Sequence, residues 1–224
     1  MKLNLKRVSK KIKIYMALPH VWILFIVVLL ALIMFGLSFV YRETNSFLSS
    51  IFANIFAGLL TGVIICLITT IKSISLYRTE CKIKWLEDLH KACFNFISMY
   101  NDMLLSGKNK FKSDEDFYEY VYNTLCCGNE VSHIISQSCF KEVLPFDPNK
   151  YCKKEFSFDA EETLNDNYIL RDKIMEQDIS RESITKIIEM FKPMEQQIST
   201  LNSKILKKIN ELKIKQRAIT VSIG

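Results

Sequence analysis

This chain is poor in residues that break helices or cradle phosphates. Six glycines and four prolines serve 224 residues, and two of the glycines, Gly58 and Gly62, sit inside an apolar run. No Gly-rich phosphate loop is present, so nucleotide chemistry of the P-loop kind has no footing. The seven cysteines, Cys66, Cys81, Cys93, Cys126, Cys127, Cys139 and Cys152, are odd in number and contain no C-x-x-C pair. That excludes the common paired-thiol metal and redox motifs. Charge is absent where it would matter most: no Asp, Glu, Lys, Arg or His occurs from Val21 to Tyr41 or from Phe47 to Ile71. A proton relay, a voltage sensor or a charged selectivity ring therefore has no candidate residues in those segments.

What fills the two uncharged segments is membrane-like. VWILFIVVLLALIMFGLSFVY, residues 21–41, is long enough at about 1.5 Å per residue to cross a hydrocarbon layer of about 30 Å. A second apolar run covers residues 47–71, and only RETNS separates the two. So short a link predicts a helical hairpin whose outer ends share one side of the membrane. The first run is longer than the apolar region of a secretion signal, lacks an A-x-A site and is followed at once by a second span, so it is read as retained.

The formal net charge of +6 is distributed in keeping with that topology. Residues 1–20 carry Lys2, Lys6, Arg7, Lys10, Lys11 and Lys13 with no acid, and residues 72–85 carry Lys72, Arg78, Lys82 and Lys84 against Glu80. Positive-inside bias places both termini in the cytoplasm. Lys6, Arg7, Lys10, Lys11 and Lys13 form a basic arm suited to anionic headgroups. Residues 86–224 are net acidic, so the basic pI is not a nucleic-acid footprint, and no nucleic-acid partner is expected.

Beyond the second run, neither Gly nor Pro interrupts residues 72–106. Trp85, Leu86, Leu89, Cys93, Phe96, Ile97, Tyr100, Met103 and Leu104 recur at helical spacing, so the second span should continue as one long helix to a turn at GKNKFK. Ser113 and Asp116 have capping-box spacing and open a helix burying Phe117, Val121, Leu125, Val131 and Ile135, with Gly128 as a weak point. The segment FKEVLPFDPNKYCKKEFSFD reads as an irregular connection because of Pro145 and Pro148. Another helix follows from Asp159, and a last one begins near Ser180. There Ile184, Ile187, Phe191, Met194, Ile198, Leu201 and Ile205 step by three and four, with Ile209 standing in where Lys208 breaks the seam and Leu212 continuing it. This seam suits the core of an intramolecular bundle, with a coiled coil between copies as the alternative. The lysines of the closing helix read as a solvated face and AITVSIG as a frayed tail.

Candidates for chemistry are few. His90 and Cys93 at i, i+3, and His133 between Cys127 and Cys139, invite a zinc reading, but buried thiols as small hydrophobes are the simpler account. Cys126 and Cys127 are adjacent on a helix and point apart, so neither makes a nucleophile with His133. DEDFYEYVY is a capped amphipathic start. No catalytic, cofactor or metal residue is expected, and the chain is not read as an enzyme.

The second apolar run is less uniform than an anchor requires. At 100° per residue, Ser50, Asn54, Ala57, Gly58, Thr61, Gly62 and Thr69 fall within an arc of about 140°. Phe52, Phe56, Leu59, Leu60, Val63 and Leu67 face away. An amide against hydrocarbon is costly, so this face must meet protein or water, and Gly58 with Gly62 forms a GxxxG pair permitting close helix approach. It packs on the first span, joins copies into an oligomer, or lines a narrow polar path within one.

The chain is thus expected to be an all-α membrane protein: a basic arm at 1–20, a transmembrane hairpin at 21–71 and a cytoplasmic helical bundle at 72–224. In layout it resembles the two-span effectors of bacterial anti-phage systems, including SLATT-type and retron-associated proteins. That resemblance implies an oligomer that permeabilises the inner membrane. A non-conducting anchor that binds a cytoplasmic protein through its bundle is the alternative.

Overall fold

The computed structural model of this chain describes residues 19–141 and 144–222, and among them every regular element is helical. In chain order these are α1 (Pro19–Val40), α2 (Ser46–Lys110), α3 (Asp114–Lys141), α4 (Pro148–Phe156), α5 (Ala160–Met175), a 3₁₀ turn (Arg181–Ser183) and α6 (Ile184–Val221). Two compact units result, one of Met1–Thr79 with Gln216–Gly224 and one of Glu80–Lys215. The basic arm, with Lys6, Arg7, Lys10, Lys11 and Lys13, lies outside the described residues.

In the first unit α1 and the start of α2 run side by side in opposite directions. Ser38 Oγ donates to the Ser49 carbonyl (3.2 Å) and Ser49 Oγ donates to the Ser38 carbonyl (3.0 Å). Further along, the rings of Phe35 and Phe56 are 5.2 Å apart, and Val27 is the nearest neighbour of Gly62. By length and composition α2 is a helix able to cross a membrane, its most apolar window reaching mean hydropathy 2.5 with none of it buried within the chain. The apolar stretch of α1, Phe25–Val40, is shorter.

The second unit is a helical bundle with one core. α2 contributes Leu86, Leu89, Cys93, Phe96 and Met103, α3 contributes Phe117, Val121, Leu125, Val131 and Ile135, and α6 contributes its seam from Ile184 to Leu212. Every seam position is buried against this chain's own helices, so the three-and-four spacing serves an intramolecular core. Each Phe or Leu withdrawn from water contributes about 1.5–3 kcal/mol. Trp85, Phe146 and Tyr151 form an edge-to-face cluster with ring centroids 5.5 to 6.1 Å apart, and Lys82 Nζ sits 5.0 Å from the Tyr151 centroid.

Capping decides where the helices begin. Ser113 Oγ accepts from the Asp116 amide (3.1 Å) while Asp116 Oδ2 accepts from the Ser113 amide (3.2 Å), the reciprocal box expected from their spacing. Three expectations are corrected. The proline-bearing connection contains helix α4, because Asp147 caps it by accepting from the Lys150 amide (3.2 Å) and Pro148 occupies the first turn, where its missing N–H costs nothing. α2 continues past Gly107 to Lys110, since one glycine costs a helix only about 1 kcal/mol. The closing segment is helical through Val221, so it is not a frayed tail.

The closing lysines are also more than a solvated face. Lys208 pairs with Glu155 (2.6 Å), Lys213 with Glu87 (2.7 Å), and Lys204 donates to the Phe156 carbonyl (2.8 Å). These contacts tie α6 to α4 and α2.

Candidate functional site

The site begins with the side of α2 that α1 takes. Ser49, Phe52, Phe56, Leu59, Val63 and Cys66 are half-buried and Thr70 is buried, marking the packed side. Ser50, Asn54, Ala57, Gly58 and Thr61 remain exposed on the opposite side. The polar arc is therefore divided. Gly62 and Thr69, at its edge, turn toward the packed side, whereas Ser50, Asn54, Gly58 and Thr61 stay together and uncovered. The two glycines part company in the same way: a Cβ on Gly62 would meet Val27 Cγ1 at 3.8 Å, while one on Gly58 would meet nothing within 4 Å.

The two threonine hydroxyls of the arc are quenched locally. Thr61 Oγ1 donates to the Ala57 carbonyl (3.2 Å) and Thr69 Oγ1 to the Ile65 carbonyl (3.0 Å), each one turn back on the same helix. Such back-bonding removes most of a hydroxyl's need for another partner. Asn54 has no such recourse, and its amide, with two donors and an acceptor, makes no hydrogen bond among the described residues. The unmet polar demand of the open face thus falls on the Ser50 hydroxyl and, with more donors and acceptors, on the Asn54 amide, one turn from an open glycine. That arrangement suits amide-to-amide hydrogen bonding across closely approaching helices.

Other chemistry finds little support in the geometry. Among the described residues no three His, Cys, Asp or Glu side chains group to hold a metal ion. His90 Nδ1 lies 2.6 Å from Asn202 Oδ1, a contact that joins α2 to α6. Cys93 and Cys152 are buried, and burial pushes the Cys93 thiol up to about 12 and the Cys152 thiol up as well. Thiols so protonated are inert. Cys127 rests 3.3 Å from Met99 Sδ, and Cys126 is exposed. An open groove of about 500 Å³ between α5 and α6 carries Glu162, Asp166, Gln196 and Lys204 without a histidine or cysteine.

One surface of the second unit escaped the sequence reading. Tyr118 and Tyr122 project outward from α3, and Tyr168, with the Arg171 guanidinium 5.5 Å from its ring centroid, projects from α5. The signal was present in DEDFYEYVY, where Tyr118 and Tyr122 stand four apart on a face turned about 100° from Phe117 and Val121. No protein-family model, curated protein or solved structure matches this chain.

Proposed function

We propose that this chain is a self-associating membrane protein of the bacterial inner membrane. α1 and the first half of α2 form a two-span hairpin, both termini are cytoplasmic, and the helical bundle governs how copies of the hairpin assemble. The observation that carries this reading is the Asn54 amide, exposed and without a hydrogen bond beside the open Gly58, on the side of α2 that α1 leaves free. In hydrocarbon such a face is covered by protein, and the second copy of the same helix supplies both a matching amide and a matching glycine.

Association through this face would bring Ser50, Asn54 and Thr61 of several copies around a common axis, a weakly selective polar path. The action is membrane permeabilisation triggered through the bundle, in keeping with the layout of two-span anti-phage effectors. The test is inducible expression of the full chain with a membrane-potential dye. Asn54→Leu combined with Thr61→Leu should abolish depolarisation without reducing the amount of membrane-inserted protein; depolarisation at the wild-type level would overturn the polar path.

A second reading, a non-conducting anchor for a cytoplasmic protein, draws on Tyr118, Tyr122, Tyr168 and Arg171. Exposed tyrosines beside an arginine are the residue types that dominate protein interfaces. Under that reading Tyr122→Ala with Tyr168→Ala abolishes function while the Asn54 and Thr61 substitutions leave it intact.

A further inference from the structure

The last turn of α6 meets α2 where the uncharged run ends. Lys72 is the first charged residue after Ile71, and its Nζ donates to the Ser222 carbonyl at 2.6 Å, although 150 positions separate them in sequence. An ammonium at a helix C-terminus satisfies a carbonyl that has no partner within the helix and opposes the helix dipole. Other polar groups of the turn are satisfied within the helix. Thr220 Oγ1 donates to the Gln216 carbonyl (3.0 Å), Ser222 Oγ to the Ile219 carbonyl (2.7 Å), and the Ser222 amide to the Ala218 and Ile219 carbonyls. The turn is therefore much less polar than its composition suggests.

Its outward face is apolar. Ile214, Ala218 and Val221 fall within an arc of about 60° at 100° per residue, with Arg217 on one flank and Lys215 on the other. Val221 is 81% exposed and Ile214 69% exposed, so nothing among the described residues covers them. An apolar side chain beside a basic one at the end of a helix suits the boundary between acyl chains and headgroups.

We infer that the C-terminal two turns of α6 form an interfacial foot whose partner is the anionic headgroup layer of the cytoplasmic leaflet. Val221 reaches the top of the acyl chains, and Arg217 meets lipid phosphates. This rests on the reading that the apolar run of α2 spans the bilayer, because that run sets the level at which Lys72 holds Ser222. The foot makes the membrane surface a second attachment for the C-terminal helix, independent of the Asn54 face.

The experiment places the photoreactive residue p-benzoylphenylalanine, one position at a time, at Val221, Leu60 and Glu189 of the full chain in vesicles of phosphatidylcholine and phosphatidylglycerol; Leu60 is exposed and lies on neither the Asn54 face nor the side that α1 packs. Lipid adducts are read by mass spectrometry. Positions 221 and 60 should yield adducts and position 189 none. At position 221 the phosphatidylglycerol adduct should fall about fivefold on Arg217→Gln, the factor that about 1 kcal/mol per basic residue represents. Adducts at 60 but not at 221 overturn the foot and leave the spanning reading standing, whereas loss at both positions overturns both. An adduct at 221 indifferent to Arg217→Gln and to omission of phosphatidylglycerol overturns the assignment to anionic lipid.

Discussion

A side chain on Gly128 would place its Cβ 2.5 Å from Met194 Sδ, bringing α3 and α6 together at a point where only hydrogen fits. Phe96 Cε2 lies 3.3 Å from the same position, so α2 closes the third side. Gly128→Ala is expected to destabilise the bundle by about 1–3 kcal/mol, the usual cost of overpacking. Met194 and Phe96 are both buried and have little room to retreat. The thermal midpoint followed by circular dichroism reads the loss. Met194→Ala in the same chain makes room for the added methyl, so the double variant should be more stable than the sum of the single effects.

Gly58 and Gly62 separate contacts between copies from contacts within one. The Cβ of Gly58→Val meets nothing within 4 Å among the described residues, so the substitution should leave the α1–α2 contacts intact while weakening self-association by about 1–2 kcal/mol. Gly62→Leu instead presses on Val27. Energy transfer between donor- and acceptor-labelled copies in liposomes measures the first effect. Unchanged transfer in Gly58→Val would count against the proposed face.

Asp147 holds together a helix only nine residues long. Asp147→Ala removes the side chain that accepts from the Lys150 amide and should cost about 1 kcal/mol, with Asp147→Asn or Asp147→Ser recovering most of it. Hydrogen exchange of the α4 amides should quicken before that of α6. Equal protection in wild type and Asp147→Ala would show that Phe156 and Cys152 packing alone sustains the helix.

The Lys208–Glu155 pair gives the bundle a defined response to pH. The hydrogen bond from Lys208 holds the Glu155 carboxyl below its ordinary range, and the same bond raises the Lys208 ammonium above its own. The carboxylate's contribution is complete above the unfolded value of ~4.3 and is lost as pH falls through the lower folded value. That of the ammonium is complete below ~10.4 and is lost as pH rises through the higher folded value. Both side chains are about a quarter exposed, which limits the pair to about 0.5–1 kcal/mol. Lys208→Gln should remove that amount near neutral pH and make the acid limb of a stability profile shallower; an unaltered acid limb would assign acid sensitivity to other carboxylates.

The parts of the fold legible in sequence are those set by local periodicity and capping. The α6 seam from Ile184 to Leu212, the Ser113–Asp116 box and the inward residues of α3 all lie where their spacing placed them, because each repeats a pattern that only one helix face can satisfy. α4 was hidden by its own start signal: Asp147 and Pro148 read as turn formers, yet the same two residues form a cap and a first turn. The end of α6 was misread because Ile219, Thr220 and Val221 are mediocre helix formers, whereas the bond from Lys72 that completes the turn comes from 150 positions away. The candidate site was legible as a composition and illegible as a surface. Which part of the arc stays free depends on where α1 lies, and nothing within residues 47–71 encodes that. Gly62 and Thr69 were accordingly grouped with residues from which the packing separates them.

The approach of Phe96 and Met194 to the same Gly128, and the contact of His90 with Asn202, bring together residues roughly a hundred positions apart. At ribosomal rates of about 5–20 residues per second, the apolar side of α2 waits some five to twenty seconds for α6 to be synthesised. Throughout that interval Leu86, Leu89 and Phe96 lack the helix that will cover them. Cotranslational folding of this bundle therefore cannot finish before its final segment leaves the exit tunnel, and a transcript truncated after α5 yields a nascent chain that chaperones or proteases must handle.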